Sequence, residues 1–279
     1  MWDFAHPMQA GLTAAQAKAI AGFEISYTIP SACARALAEA KADIGIIPAA
    51  AYAVIPDLVS VPDVAIAAKQ AVRSILLVSR VPIDQVRTVA LDDSSLTSVA
   101  LTKILFAKWL GGPREYVSMQ PNLDAMLARC DAALLIGDPA LQVDSTRYAT
   151  LDLAEEWIAR TGKPFVFAFW AIRRQALANR DVPTIANVFK DSRDHGLRRE
   201  NLEITAQSWA PRLKLPLETI RTYLDRNIHY YLDPPCLEGL ELFYRYGGEI
   251  GAIPTAPELR FCSASREDLK SSPATCSHG

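Results

Sequence analysis

Residues 86–101 read VRTVALDDSSLTSVAL: a run rich in β-branched residues, then two acids and two serines, then a segment with helical spacing. The first part predicts a strand over 86–91. The last predicts a helix over 95–110, stopped by Gly111, Gly112 and Pro113. A strand feeding a helix through a polar junction is half of a βαβ unit, so the stretch makes the chain α/β. Four of the five positions 94–98 carry hydroxyls. The first N–H groups of a helix lack intrahelical partners, and the helix dipole favours negative charge there. Serine and aspartate cap helices with no ligand present, but a cap uses one hydroxyl. At the carboxyl end of a strand, where α/β folds bind ligands, the surplus predicts an anion site formed by Ser94, Ser95, Thr97 and Ser98.

Working outward, the pattern repeats. Residues 31–41 (SACARALAEAK) have helical spacing with Ser31 as the expected N-cap, and 43–47 follow as a short buried strand. Strands are expected at 72–78, 116–119, 132–136 and 165–172, with a helix over 122–129. This alternation predicts parallel sheets. Nothing strand-like precedes 23–28, so the first strand of the fold is expected to be missing. Residues 175–246 are helical in pattern almost throughout, His229 included, with breaks at Pro183, Gly196, Pro211, Pro216, Pro234 and Pro235. The mixed-charge run 190–200 (KDSRDHGLRRE) reads as a solvated helix face or loop, and the polar tail 262–279 as disordered.

Two other strand ends offer ligand contacts. Pro48, Ala49 and Ala50 are small residues that permit close backbone approach. Asp138, in Gly137-Asp138-Pro139, reads equally well as a polar contact or as the cap of a short helix.

Composition narrows the function classes. Twenty-nine basic against 31 acidic residues give a net charge of -2, which argues against nucleic-acid binding. No apolar run approaches the ~20 residues of a membrane helix, and no secretory signal is visible at the start, so a cytoplasmic protein is expected. The five cysteines form no CxxC pair; Cys33 and Cys130 sit in apolar patterns as buried thiols. No His/Cys/Asp spacing matches a zinc site, so no metal is expected. His6 is a candidate for the edge of a cleft. With no GxGxxG and no GxxxxGK[ST], no nucleotide cofactor is expected either; a small carboxylate suits the hydroxyl cluster better.

Residues 93–101 (DSSLTSVAL) resemble the SSxTSvaL motif of the chorismate dehydratases of the futalosine route to menaquinone. Residues 43–48 (DIGIIP), 72–77 (VRSILL), 133–141 (ALLIGDPAL) and 161–170 (TGKPFVFAFW) resemble the family's other motifs, in the same order. The resemblance implies a periplasmic-binding-protein-like fold of type II: two α/β lobes with a ligand cleft between them. It implies lobe one from 1–86 and 168–261, lobe two from 87–167, and crossings at 72–79 and 165–172. The family pattern also has an initial strand and an LNTxP-like motif before Trp2-Asp3-Phe4. Neither is in the sequence, so the start is read as misassigned or truncated. At Leu96 relatives often carry a polar residue; a leucine is expected to pack into its lobe.

The implied reaction removes the C3 hydrogen and C4 hydroxyl of chorismate, giving 3-[(1-carboxyvinyl)oxy]benzoate and water, a hydro-lyase reaction. Deprotonation at C3 spreads charge into the ring carboxylate, where hydroxyls and N–H groups would stabilise it as an oxyanion hole does. Ser95 and Asp138 are the expected catalytic residues; Ser94, Ser95, Thr97, Ser98, Pro48, Ala49 and Ala50 are expected to bind substrate. A carboxylate of the substrate itself is the alternative to Asp138 as base. Two rival readings remain: the sister enzyme that makes 1,4-dihydroxy-6-naphthoate, expected to carry a cleft histidine, and a non-enzymatic carboxylate-binding protein.

Overall fold

The computed structural model describes residues 22–178, 182–255 and 258–262. His6, Cys276, the residues before Gly22 and the tail after Cys262 lie outside the described residues. The helix α1 (Pro30–Ala38) leads into β1 (Ile44–Pro48) and the single turn α2 (Ala49–Tyr52). Next come β2 (Leu58–Ala68), β3 (Ile75–Ser79), β4 (Thr88–Asp92) and α3 (Leu96–Lys108). Then follow β5 (Glu115–Met119), α4 (Leu123–Arg129), β6 (Ala132–Ile136), α5 (Asp138–Leu141), β7 (Ala149–Asp152) and α6 (Leu153–Thr161). After β8 (Phe165–Arg173) the chain is helical: α7 (Val182–Gly196), α8 (Arg199–Leu213), α9 (Leu217–Thr222) running into a π turn over Tyr223–Asn227, and α10 (Pro234–Glu249).

The strands form two sheets, a three-stranded one ordered β1-β8-β2 and a five-stranded one ordered β5-β4-β6-β3-β7. Parallel pairing is narrower than the alternating pattern predicts. Among the strands of the described residues, only β4 with β5 and β4 with β6 pair in parallel; β3 runs antiparallel to β6 and β7, and β8 antiparallel to β1 and β2. The parallel pairs are those whose connections contain a helix long enough to return the chain, α3 and α4.

Strand pairing also shifts the expected crossings. β3 lies inside the five-stranded sheet, and all of β8 lies inside the three-stranded one. We therefore place the crossings at 72–74 and 163–164. The first is pinned by Asp152, whose Oδ2 accepts the Arg73 N–H at 2.6 Å while its Oδ1 accepts from Ala154 and Glu155 to cap α6. Arg73 has a left-handed φ of 64°, a conformation a side chain adopts only where its surroundings enforce it. The second crossing is pinned at the Pro164 carbonyl, which accepts from Trp157 Nε1 at 3.3 Å.

Several local expectations change. Residues 23–28 are irregular, not extended in a sheet. The helix predicted from Ser31 starts at Pro30, whose ring suits the first helical position, and no side chain caps it. His229 is not helical. Its N–H and C=O pair with the C=O and N–H of Ala67, both at 2.8 Å, because Pro234 and Pro235 begin a new helix capped by Asp233. The run 190–200 is not a wholly solvated face: Arg193 is 5% exposed, lies 4.1 Å over the Tyr231 ring, and donates to the Asp63 carbonyl and to Asp194. Cys130 is buried as expected, whereas Cys33 is only half-buried. Among the described residues no helix is long and apolar enough to cross a membrane.

Candidate active site

A cleft opens between the two sheets. One wall is a face of the three-stranded sheet. The register opposes Ile46 to Trp170, Pro48 to Ala168, and Ile66 to Ala168. Alternation along the strands puts these side chains on one face, and all of them line the cleft. The opposite wall is the end of the five-stranded sheet with the start of α3: Ile75, Ile136, Ser94, Ser95 and Ser98. Val72, Ser74, Tyr223 and Ile228 close one side, and Thr28 and Pro30 another. The cleft is thus apolar on one wall and hydroxyl-bearing on the other, a composition suited to a small ring compound with carboxylates.

The hydroxyls are ordered by hydrogen bonds. Ser95 is the N-cap of α3: its Oγ accepts the Ser98 N–H at 3.3 Å and donates to Ser98 Oγ at 3.0 Å. With Ser95's proton so placed, the Ser98 hydroxyl is the one left to donate. The N–H groups of Leu96 and Thr97, in the first turn, have no intrahelical acceptor. Ser94 is held differently, by Asp92 at the end of β4. Asp92 Oδ1 accepts both the Ser94 N–H at 3.0 Å and the Ser94 hydroxyl at 2.6 Å.

Of the residues proposed from sequence, Ser94, Ser95, Ser98 and Pro48 meet at the cleft, whereas Thr97, Ala49, Ala50 and Asp138 are not among those that line it. Thr97 is buried, and its Oγ1 accepts the Ala50 N–H at 3.0 Å, clasping α3 to α2. Ala49 and Ala50 are buried in that same turn. Thr97→Val keeps the shape but leaves the buried Ala50 N–H without its acceptor. It is expected to cost about 1–3 kcal/mol, read as a lower urea midpoint; an unchanged midpoint would show that the clasp contributes nothing.

Asp138 begins α5 one step behind the cleft. Its charge and, more strongly, burial raise the pKa of Tyr223, which donates to Ser74 Oγ at 3.1 Å inside the cleft wall. Leu96 does not pack into the core: it is 47% exposed. Sequence reasoning missed Asp92, Ser74, Tyr223 and Trp170 as site residues. Asp92 stood in the decisive stretch but read as part of the polar junction. The signal for Ser74 and Tyr223 was nil, since 149 positions separate the two.

Among the described residues His229, Asp233 and Cys236 bring possible ligand atoms within 4.8 Å of one another, a grouping not evident from their spacing. The Asp233 carboxylate is already shared by Lys69 Nζ at 2.6 Å, His229 Nε2 at 2.9 Å and the Cys236 N–H at 3.1 Å. Burial pushes the Cys236 thiol up to about 12. The Lys69 ammonium on one carboxylate oxygen and the Cys236 N–H on the other make Asp233 the cap of α10.

Residues 5–249 match the family model described as menaquinone biosynthesis. The chain is 30% identical over 254 residues to the chorismate dehydratase of Thermus thermophilus, covering 85% of this chain and 89% of that one. A crystal structure of an Archaeoglobus fulgidus protein superposes with a TM-score of 0.60 at 18% identity, covering 89% of this chain and 96% of that one. The periplasmic aliphatic sulphonate binding protein of Escherichia coli gives 0.60 at 16% identity, covering 89% and 85%. At such identities the likeness concerns the fold, which is that of the periplasmic binding proteins.

Proposed function

The chain belongs to the menaquinone biosynthesis family, and from that premise we propose that it is a hydro-lyase converting chorismate to 3-[(1-carboxyvinyl)oxy]benzoate and water. The observation that carries the reading is the meeting, in one cleft, of an apolar sheet face with the hydroxyl-rich start of α3. The sheet face takes the ring. Ser98 and the first N–H groups of α3 take the ring carboxylate, which gains charge as the C3 proton leaves, and Ser95 holds Ser98 in place. Among the described lining residues there is no carboxylate side chain. The proton acceptor we assign is a carboxylate of the substrate, with Asp138, outside the described lining, as the other candidate. The described lining also holds no histidine, which disfavours the naphthoate-forming sister reaction. The reaction is redox-neutral, and we assign the enzyme to the cytoplasm.

The test is direct. Incubated with chorismate, the protein is expected to replace the cyclohexadiene absorbance by that of a substituted benzoate, one equivalent per chorismate consumed. Chorismate recovered unchanged, with its binding intact, would instead support a carboxylate-binding protein and overturn the reading.

A further inference from the structure

Asp92 is fully buried, and its Oδ2 lacks a well-formed hydrogen bond. Burial raises its pKa, against the pull of the Ser94 hydroxyl and N–H and of the Ile136 N–H, and neighbouring Asp93 raises it further. Such a group costs stability unless it does something else. Asp92 terminates β4, and the residue it grips, Ser94, lines the cleft.

The grip decides what Ser94 can offer. A serine hydroxyl has one proton and two acceptor sites. At 2.6 Å from Asp92 Oδ1 that proton is committed to the carboxylate, so toward the cleft Ser94 presents lone pairs only. A substrate carboxylate would meet repulsion there. Chorismate carries two carboxylates and an ether oxygen, all acceptors, and a single neutral donor, the C4 hydroxyl. We propose that Asp92 is a positioning residue that fixes Ser94 as a hydrogen-bond acceptor for the C4 hydroxyl of the substrate, so that this corner of the cleft distinguishes chorismate from the dehydrated product. This rests on the chorismate reading given above, and it removes Ser94 from the carboxylate site, which keeps Ser95, Ser98 and the first turn of α3.

The hydroxyl-bearing wall then fixes the ring by opposite chemistry at neighbouring points, donors at the carboxylate and an acceptor at the hydroxyl. As the C4–O bond breaks, the oxygen leaves with the bonding pair and takes up the proton removed from C3, forming water. The aromatic product keeps no ring hydroxyl and nothing for Ser94 to hold. The contact belongs to the bound substrate, so losing it raises KM without lowering kcat.

The experiment compares wild type, Ser94→Ala and Asp92→Asn for KM and kcat with chorismate, and for inhibition by added 3-[(1-carboxyvinyl)oxy]benzoate. Ser94→Ala is expected to raise KM about 10-fold, and Asp92→Asn, whose amide oxygen is a weaker acceptor, about 3-fold. In both, kcat holds or rises and the product inhibition constant stays within about twofold. Asp92→Asn also removes a buried charge and is expected to melt no lower than wild type; should it fail to fold, Ser94→Ala decides alone. A parallel rise of KM and product inhibition constant, a fall in kcat at constant KM, or no change in Ser94→Ala would overturn the assignment. A wild-type protein inert toward chorismate would fail the functional reading itself; an active wild type with parallel shifts would fail this inference alone.

Discussion

Replacing Ser95 by alanine is expected to lower kcat/KM for chorismate by about 10²–10³-fold, the loss typical when one donor of an oxyanion site is removed or misplaced. Ser95 is joined to Ser98 twice, as acceptor of its N–H and donor to its hydroxyl. Without it, Ser98 Oγ is free to rotate into the acceptor role, and the helix start loses its cap. Capping alone is worth about 1 kcal/mol of stability, so a fall in activity needs separating from a fall in folded protein. Ser95→Asp provides the separation. Aspartate caps as well as serine and suits the positive end of a helix. That variant should therefore melt at or above the wild-type temperature, yet it places a negative charge where the substrate carboxylate binds and is expected to be at least as inactive. If Ser95→Asp turned over chorismate at the wild-type rate, the carboxylate would have to bind elsewhere.

The largest effect on stability is expected at Trp157. Its side chain is fully buried in α6, with ring centroids of Phe165, Tyr246 and Trp109 at 5.3, 6.1 and 6.4 Å. Its Nε1 donates to the Pro164 carbonyl, where the chain crosses between the sheets. The same carbonyl faces Gly239 of α10 so closely that a Cβ there would lie 2.0 Å from it. A crossing squeezed between two helices has little room to collapse into a void. Trp157→Ala is accordingly expected to cost about 3–5 kcal/mol, a large share of the roughly 5–15 kcal/mol that holds a domain folded. Thermal unfolding should fall by ten degrees or so at ~2–4 °C per kcal/mol. A loss under about 1 kcal/mol would mean that the crossing is not held in this way.

What the sequence discloses depends on the range of the interaction. The decisive junction was read to within about two residues, with the cap left between Ser94 and Ser95: Ser95 caps a helix of Leu96–Lys108 that follows a strand of Thr88–Asp92. Ala132–Ile136 was read to the residue, because five consecutive apolar positions between a helix and a glycine admit little else. The 11-residue strand Leu58–Ala68 escaped notice. Pro62 and Asp63 interrupt its pattern, and it is held extended by pairing across a bulge with β8 and by the bridge from Ala67 to His229. The site was read in outline. Its hydroxyls were visible as a local surplus, but their roles were not, since Ser94, Thr97 and Ser98 look alike in one dimension.

What depends on neighbours within a few positions could be read along the chain: the α/β class, the strand–hydroxyl–helix junction, a cap at Ser94 or Ser95, and motifs ordered enough to point to a family. Tertiary structure alone decided the rest. It decided which strands are antiparallel, that Thr97 Oγ1 accepts the Ala50 N–H, and that Leu96 is half exposed. It also decided that Ser94 has its proton taken by Asp92. A hydroxyl can donate or accept, and which it does is set by the partner that reaches it at hydrogen-bond distance. For Ser94 that partner is two residues away, but its strength as an acceptor comes from burial, which only the packed sheet supplies.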